Sequence, residues 1–432
     1  MAIVSPARLA AVAFRLGSRR LARGDIRGAV RALERAWLLE PCVPTLHGVT
    51  LAALAAHDWT AAARYARLST REDSGNPASW YHLGAAYHGA GRWEQAAGAF
   101  RRCLQRDPTH SGAHAELALL AGFRGDRAAE RRHADAALAT PAPDGYARYV
   151  QSLLQLWRGD YAAGWANYES RHGLPLVVAG WARPLGLDDR RRWQGGPVGR
   201  LLAHAEQGHG DAIQMARYLP LVRERCDALT VMVHRSLVSL CQQQARGRWR
   251  VLALDDPTPE HDAWVSFMSL PYLLGTDDLT KIPPPADFGV AASPRTSGGS
   301  PRVVALCTQG GAVASLDRDR SDHRGALYAL RDAFPALTWV DFTGRTGDWT
   351  DTARELAGCD LLISVDTAIA HLAGSLGVET WLVPPTHYEW RWLDGRDDSP
   401  WYPRHRLYRR RHTRDWPGVV ARLRSALEER TK

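Results

Sequence analysis

Between Leu361 and Pro385 the chain reads LLISVDTAIAHLAGSLGVETWLVPP, and its polarity pattern changes several times within that stretch. Leu361 to Val365 is a short apolar run with β-branched residues, which suits a buried strand. Asp366 and Thr367 break the run at its carboxyl end. Ala368 to Leu376 has helical composition, and Gly377 stops it as a C′ glycine does. Thr380 to Val383 is a second apolar run, closed by Pro384 and Pro385. The pattern predicts strand, turn, helix, turn, strand. A polar cluster then sits at the crevice where open α/β sheets bind ligands.

The same alternation runs upstream. Arg200 to Ala205, Leu229 to Val233 and Val251 to Leu254 read as strands, with a helix expected from about Ala212 to Arg225. After them, Arg302 to Cys307 and Leu337 to Phe342 read as strands, and Asp351 opens a helix leading to Cys359. Trp416 to Glu429 has the pattern of a closing amphipathic helix. The first part of the chain is different. Trp80, Leu83, Gly84, Tyr87, Ala96, Phe100 and Pro108 fall on the spacing of a 34-residue tetratricopeptide repeat. Weaker copies flank it, and a degenerate last unit spans Leu153 to Arg171, with Gly159-Asp160 as its turn. Four or five such units make a curved solenoid with a concave face. That face either docks a protein or peptide, or the array stabilises the chain or mediates self-association.

These patterns divide the 432 residues into a repeat domain at 1–175, a linker at 176–198, and one α/β half at 199–290. A Ser-, Gly- and Pro-rich hinge at 291–300 precedes a second α/β half at 301–432. The fold class expected is an α-solenoid followed by two Rossmann-like half-domains.

Composition changes this picture only in places. The +9 charge and pI near 9.5 suit an acidic partner, but Lys281 and Lys432 are the only lysines, so the bias toward arginine reads as compositional. A Walker loop and a pyridoxal Schiff base both lack a suitably placed lysine. The six cysteines are scattered without a CxxC pair, which fits free thiols in a reducing cytoplasm. Arg8 and Arg15 interrupt the apolar pattern of the first twenty or so residues, so we expect a repeat helix there and no signal peptide or membrane span.

Candidate chemistry lies at two turns. In the first, Glu206, Gln207, Gly208, His209, Gly210 and Asp211 follow a strand and open a helix. Asp211 is a candidate general base or merely a first-turn helix charge, with His209 and Glu206 as alternative bases. In the second, Asp366, Thr367 and His371 stand at a helix start, where backbone N–H groups suit a phosphate. There Asp366 either holds a ribose hydroxyl or caps the helix, and His371 either faces the ligand or only packs. Gly310, Arg318, Arg320 and Ser321 lie after the strand that ends at Cys307. Arg320 suits a diphosphate or a surface ion pair. Asp317 and Asp319 spell DxD, a weak metal signal. The arginine-rich run Arg404 to Arg414 reads as a solvated face, ahead of a nucleic-acid surface.

SVDTAIAHLAGSLG resembles the nucleotide-sugar site of glycosyltransferases that carry tetratricopeptide repeats and are related to the bacterial heptosyltransferases, the glycosyltransferase family 9 group. Further blocks resemble the same family: EQGHGDAIQMARYLP, Ser269-Leu270-Pro271, Asp317 to Ser321, and Trp390 to Pro403. The chain departs from the family's pattern near Gly310, where a tryptophan and asparagines are missing, and at Leu316. The resemblance implies a cytoplasmic GT-B glycosyltransferase, inverting and metal-independent, with no cofactor and a nucleotide-sugar as donor substrate. It implies Asp211 as base and Gly310, Arg318, Arg320, Ser321, Asp366, Thr367 and His371 on the donor side. The acceptor would be a hydroxyl, including one on a protein docked on the repeats. A membrane span and nucleic acid are not expected, and a non-catalytic scaffold is the alternative reading.

Overall fold

A computed structural model describes residues 5–23, 25–140, 145–174, 185–290, 300–310, 320–322, 325–345, 347–386 and 389–432. The chain forms two compact units. One comprises Met1–Leu154 and Asn167–Pro184, the other Gln155–Ala166 and Leu185–Lys432.

The helical region runs α1 (Pro6–Ala22), α2 (Ile26–Leu39), α3 (Val43–Ala55), α4 (Trp59–Glu72), α5 (Pro77–Gly89), α6 (Trp93–Leu104), α7 (Ser111–Arg124), α8 (Arg127–Ala139), α9 (Gly145–Trp157) and α10 (Tyr161–Tyr168). Consecutive helices pair as antiparallel hairpins, α1 with α2 through α7 with α8. Small residues allow the close approach: Ala29, Ala62 and Ala96 are fully buried, and a side chain at Gly84 would run into the Phe100 ring. The second helix of most pairs begins with the same device. Asp25, Asp58, Asp126 and Asp160 each accept a hydrogen bond from the N–H three residues on, at 2.9, 2.9, 3.0 and 3.2 Å. Arg92 stands at the corresponding place before α6, where no side chain caps the helix.

The α/β region has two sheets, parallel throughout among the described strands. The first holds β1 (Val198–His204), β2 (Cys226–Val233), β3 (Arg250–Ala253) and β4 (Ala263–Ser266), in the order β3-β2-β1-β4. Helices α11 (His209–Met215), α12 (Leu219–Arg223) and α13 (Val238–Ala245) belong to it. The second holds β5 (Val303–Cys307), β6 (Thr338–Asp341), β7 (Leu361–Val365), β8 (Glu379–Val383) and β9 (His405–Leu407), in the order β6-β5-β7-β8-β9. Its helices are α14 (Ala326–Asp332), α15 (Trp349–Ala357), α16 (Ala368–Leu376) and α17 (Trp416–Thr431). Alternate residues of β7, Leu361, Ile363 and Val365, share a core with Leu327 and Leu330 of α14 and Val419, Leu423 and Leu427 of α17.

The strand–helix–strand reading of 361–385 holds closely: α16 ends at Leu376, and Gly377 follows in the left-handed region with φ 73°. Elsewhere the structure corrects the sequence reading. The helix expected over Ala212–Arg225 is broken into α11, a 3-10 turn and α12, because Pro220 in the first turn of α12 has no N–H to continue the earlier ladder. Strands β4 and β9 went unread: β4 runs straight into the apolar stretch Phe267 to Leu274, and β9 is three residues set among arginines. The run from Arg404 to Arg414 is no solvated face throughout. His405–Leu407 is β9, Arg410 is buried, and Arg409 donates to the carbonyls of Arg396 and Leu393 at 2.7 and 2.9 Å. Of the 176–198 linker, residues from Leu185 on are described. They lie along the first sheet, with Trp193 N–H donating to Trp264 O at 2.8 Å. The hinge reading at 291–300 falls, but for Ser300, outside the described residues. All six cysteines are free thiols.

Candidate functional site

Strand order places the site. In the first sheet β2 and β4 lie on opposite sides of β1, and in the second β6 and β7 flank β5. A sheet splits its connections at such a point, so the loops leaving the strand ends part and open a crevice. The loop after β1 carries Glu206 to Gly208, and His209 to Asp211 open α11. The loop after β5 carries Gly310, Arg320 and Ser321, and the one after β7 carries Asp366 and Thr367. Arg318, with Leu316, Asp317 and Asp319, lies outside the described residues.

On the first sheet's side, Asp211 sits in the first turn of α11. Its Oδ2 accepts the Gly208 N–H at 2.9 Å, so it does serve the helix start. Its Oδ1 accepts from Nη2 of Arg391, an ion pair linking residues 180 positions apart. Arg391 also donates through Nε to Gln214 Oε1 at 3.0 Å and through Nη1 to Glu389 Oε1 at 2.6 Å, and it lies over the Trp390 ring. Asp211 and Gln214 are three residues apart on α11, and that spacing puts both on the face that meets Arg391. Gly210 packs on α16: a Cβ there would come within 2.8 Å of His371 Cδ2 and 3.3 Å of Ala368 Cα.

On the other side, Asp366 is buried. Loss of water and the neighbouring Glu389 push its carboxyl up to about 6, against the pull of Arg320 and Arg391. Thr367, not Asp366, is the N-cap residue of α16, and it caps without a side-chain hydrogen bond. The capping reading of Asp366 is therefore corrected, since its backbone already belongs to the turn before the helix. His371 is also buried and is held neutral: desolvation, then Arg391, lowers its pKa well below the usual range. Its Nε2 stands 3.9 Å from Asp366 Oδ1, and with a neutral ring this is no ion pair. Its Nδ1 shares a 3.0 Å hydrogen bond with the Tyr402 hydroxyl. Gly310 lies against the Arg320 guanidinium, where a Cβ would come within 2.6 Å of Nη2, and its N–H donates to Ser321 Oγ at 3.1 Å.

Thus Gly210, Asp211, Asp366, Thr367, His371, Gly310, Arg320 and Ser321 come to the facing switch points. His209 does not join the acidic cluster. Its Nε2 bonds Ser236 Oγ at 2.9 Å and its ring stacks between His234 and Trp349. Burial and then His234 lower its pKa to about 4. Glu206 is buried, and Gln207 offers its carbonyl to His234 Nε2 at 2.7 Å. Sequence reasoning gave Arg391 only as part of a tail block whose aromatics and arginines stack a nucleobase, line an acceptor cleft or merely pack, and it left out Gln214 and Glu389 as site residues. Arg217 was also left out; it is buried, stacks on Trp401 and Tyr402, and donates to Trp401 O at 3.1 Å. The i, i+3 spacing of Asp211 with Gln214 was a visible signal, whereas nothing local pointed to Arg391 as their partner. Among the described residues no group of His, Cys, Asp or Glu is placed to hold a metal ion. None of their helices is long and apolar enough to cross a membrane.

The arrangement offers the Asp211 carboxylate on one side, and the Arg320 and Arg391 guanidinium groups with a helix start and the carboxyls of Asp366 and Glu389 on the other. It can bind an anion and, if Asp211 is released, accept a proton. Comparison with known proteins bears on the repeats. Residues 77–110 match the tetratricopeptide repeat family. Among solved structures, the chain is similar to a thermophilic TPR protein of Thermus thermophilus, with 20% identity over 38% of this chain and 91% of that one, at a TM-score of 0.33. MamA of Desulfovibrio magneticus RS-1 is similar at 18% identity over 30% of this chain and 74% of its own, at a TM-score of 0.29. No curated protein matches the chain significantly. The chain thus has a tetratricopeptide-like helical repeat region followed by a parallel-sheet α/β region.

Proposed function

We propose that the protein is a glycosyltransferase of GT-B type carrying a tetratricopeptide docking array. It would move a sugar from a nucleotide-sugar to a hydroxyl acceptor. The observation that carries this reading is the pairing of two parallel sheets at their switch points, with Asp211 on one side and Asp366, Arg320 and the α16 start on the other. In this reading the donor diphosphate lies against Arg320 and the first N–H groups of α16. Asp211 takes the proton of the acceptor hydroxyl, and the oxygen attacks the anomeric carbon from the face opposite the leaving group. The bond from that carbon to the diphosphate oxygen breaks, and its electron pair leaves with the nucleoside diphosphate, stabilised by the positive groups. The repeat array supplies a surface for a protein partner, as stacked repeats commonly do.

The test is a melting-temperature panel of nucleoside diphosphates and their sugars against the full chain, repeated with Asp366→Ala and Arg320→Ala. A ligand that binds the native state raises the melting temperature by mass action. We expect one nucleotide to raise it and both variants to lose the rise. With that nucleotide's sugars, Asp211→Asn should lose transfer while keeping donor binding. Wild-type turnover in Asp211→Asn would remove it from the base role. A non-catalytic scaffold is the second reading. It is favoured by the engagement of both Asp211 oxygens and by the packing of Gly210 on α16. It expects folded protein and no response to any nucleotide.

A further inference from the structure

Arg391 joins the loop before β9 to helix α11, and everything it holds would compete with an anion for it. Its three donor nitrogens are spread over Gln214, Glu389 and Asp211, so one guanidinium serves two carboxylates. A third carboxylate, Asp366, and the His371 ring lie within its electrostatic reach. The group is sheltered without being sealed: the Arg391, Asp211 and Glu389 side chains are 11%, 18% and 17% exposed. A guanidinium keeps its charge, and its planar fork matches phosphate oxygens at least as well as carboxylate. A diphosphate carries more negative charge than either carboxylate alone.

Resting on the transferase reading above, we propose that Arg391 is a ligand-operated latch. In the empty site it occupies Asp211; a diphosphate entering beside Asp366 and Arg320 draws the guanidinium away and frees Asp211 Oδ1 to accept a proton. The base is then exposed only when the donor is present. This makes Arg391 a positioning residue acting through Asp211, and it converts the contact that favours a scaffold into a control on the reaction.

The test is calorimetric binding of inorganic pyrophosphate to the full chain, at one pH and salt concentration. The proteins compared are wild type, Asp211→Asn, Glu389→Gln, Arg391→Ala and the double variant Asp211→Asn/Arg391→Ala. Removing a competing charged partner should tighten pyrophosphate binding about tenfold in Asp211→Asn, with a smaller gain in Glu389→Gln. Arg391→Ala should weaken binding about tenfold or more. The gain from Asp211→Asn should vanish in the double variant, because the two residues act as one unit. If Arg391→Ala does not fold, Arg391→Lys replaces it, and a partial loss is expected because lysine lacks the fork. A gain from Asp211→Asn that survives without Arg391 would mean simple removal of negative charge and would overturn the latch. So would equal affinity across the set, or no pyrophosphate binding in any variant. The outcome is separable from the transferase reading. Absence of sugar transfer leaves the pyrophosphate cycle intact, whereas sugar transfer with an additive cycle overturns the latch alone.

Discussion

Replacing Asp366 with asparagine should make the second unit more stable at pH 8 and a poorer binder of nucleotide. The carboxyl titrates near 6 in the folded chain, against 3.8 for a free aspartate. At 1.36 kcal/mol for each tenfold change in ionisation, keeping it charged above pH 6 costs about 3 kcal/mol. Because the folded group titrates above the unfolded one, the native state binds more protons between pH 3.8 and 6. Stability from this group therefore falls as pH rises through that window, and the full cost is present above it. Asparagine has the same shape and no charge to desolvate. It also spares the helix start, since Thr367 is the N-cap residue. The assay is thermal unfolding of wild type and Asp366→Asn side by side at pH 8, 6, 5 and 4. At pH 8 the variant should melt about 5 °C or more above the parent, and the difference should shrink toward zero as pH approaches 4. The gain should come with weaker nucleotide binding, the usual trade between a strained functional group and stability. A variant equal to or below the parent at pH 8, or a difference that does not change with pH, would refute the reasoning. In that case Arg320 and Arg391 would be stabilising the carboxylate more than burial and Glu389 oppose it.

Two further outcomes concern packing and acid. Gly210→Ala puts a methyl group within 2.8 Å of His371 and 3.3 Å of the α16 backbone, so α11 and α16 must separate. We expect a loss of about 1–3 kcal/mol in urea unfolding, and an unchanged midpoint would show that the two helices part freely. His405 is buried, and its Nε2–H donates to the Ala370 carbonyl at 3.2 Å; burial lowers its pKa from 6.5 to about 3. The unfolded chain then binds more protons between those values, so stability is full above pH 6.5 and is lost as pH falls, by about 1.4 kcal/mol per pH unit. Urea midpoints at pH 7, 5 and 4 should fall more steeply for wild type than for His405→Gln; equal slopes would remove His405 as a source of acid sensitivity.

The repeat region was legible because every signal in it is local. Gly84 and Phe100 meet within one helical hairpin, and the aspartates at 25, 58, 126 and 160 cap helices that begin at the next residue. The same holds for Leu361 to Val383, where a buried strand, a helix stopped by Gly377 and a second strand follow one another directly. Asp211 and Asp366 were each visible as polar residues closing an apolar strand or opening a helix. What they do to one another was not. Periodicity and capping record contacts a few residues apart. They carry no information on which strand lies beside which, or on what meets at the strand ends. Strand order brought the loops after β1, β5 and β7 to facing switch points. It put Arg391 on a carboxylate 180 residues away, turned half of an arginine run into strand and buried anchors, and removed water from Asp366. The chain alone determined the repeats, the two sets of parallel strands and the candidate acids. The tertiary structure decided which of those acids is held by a cation and which is made costly to ionise, because charge and burial depend on neighbours in space.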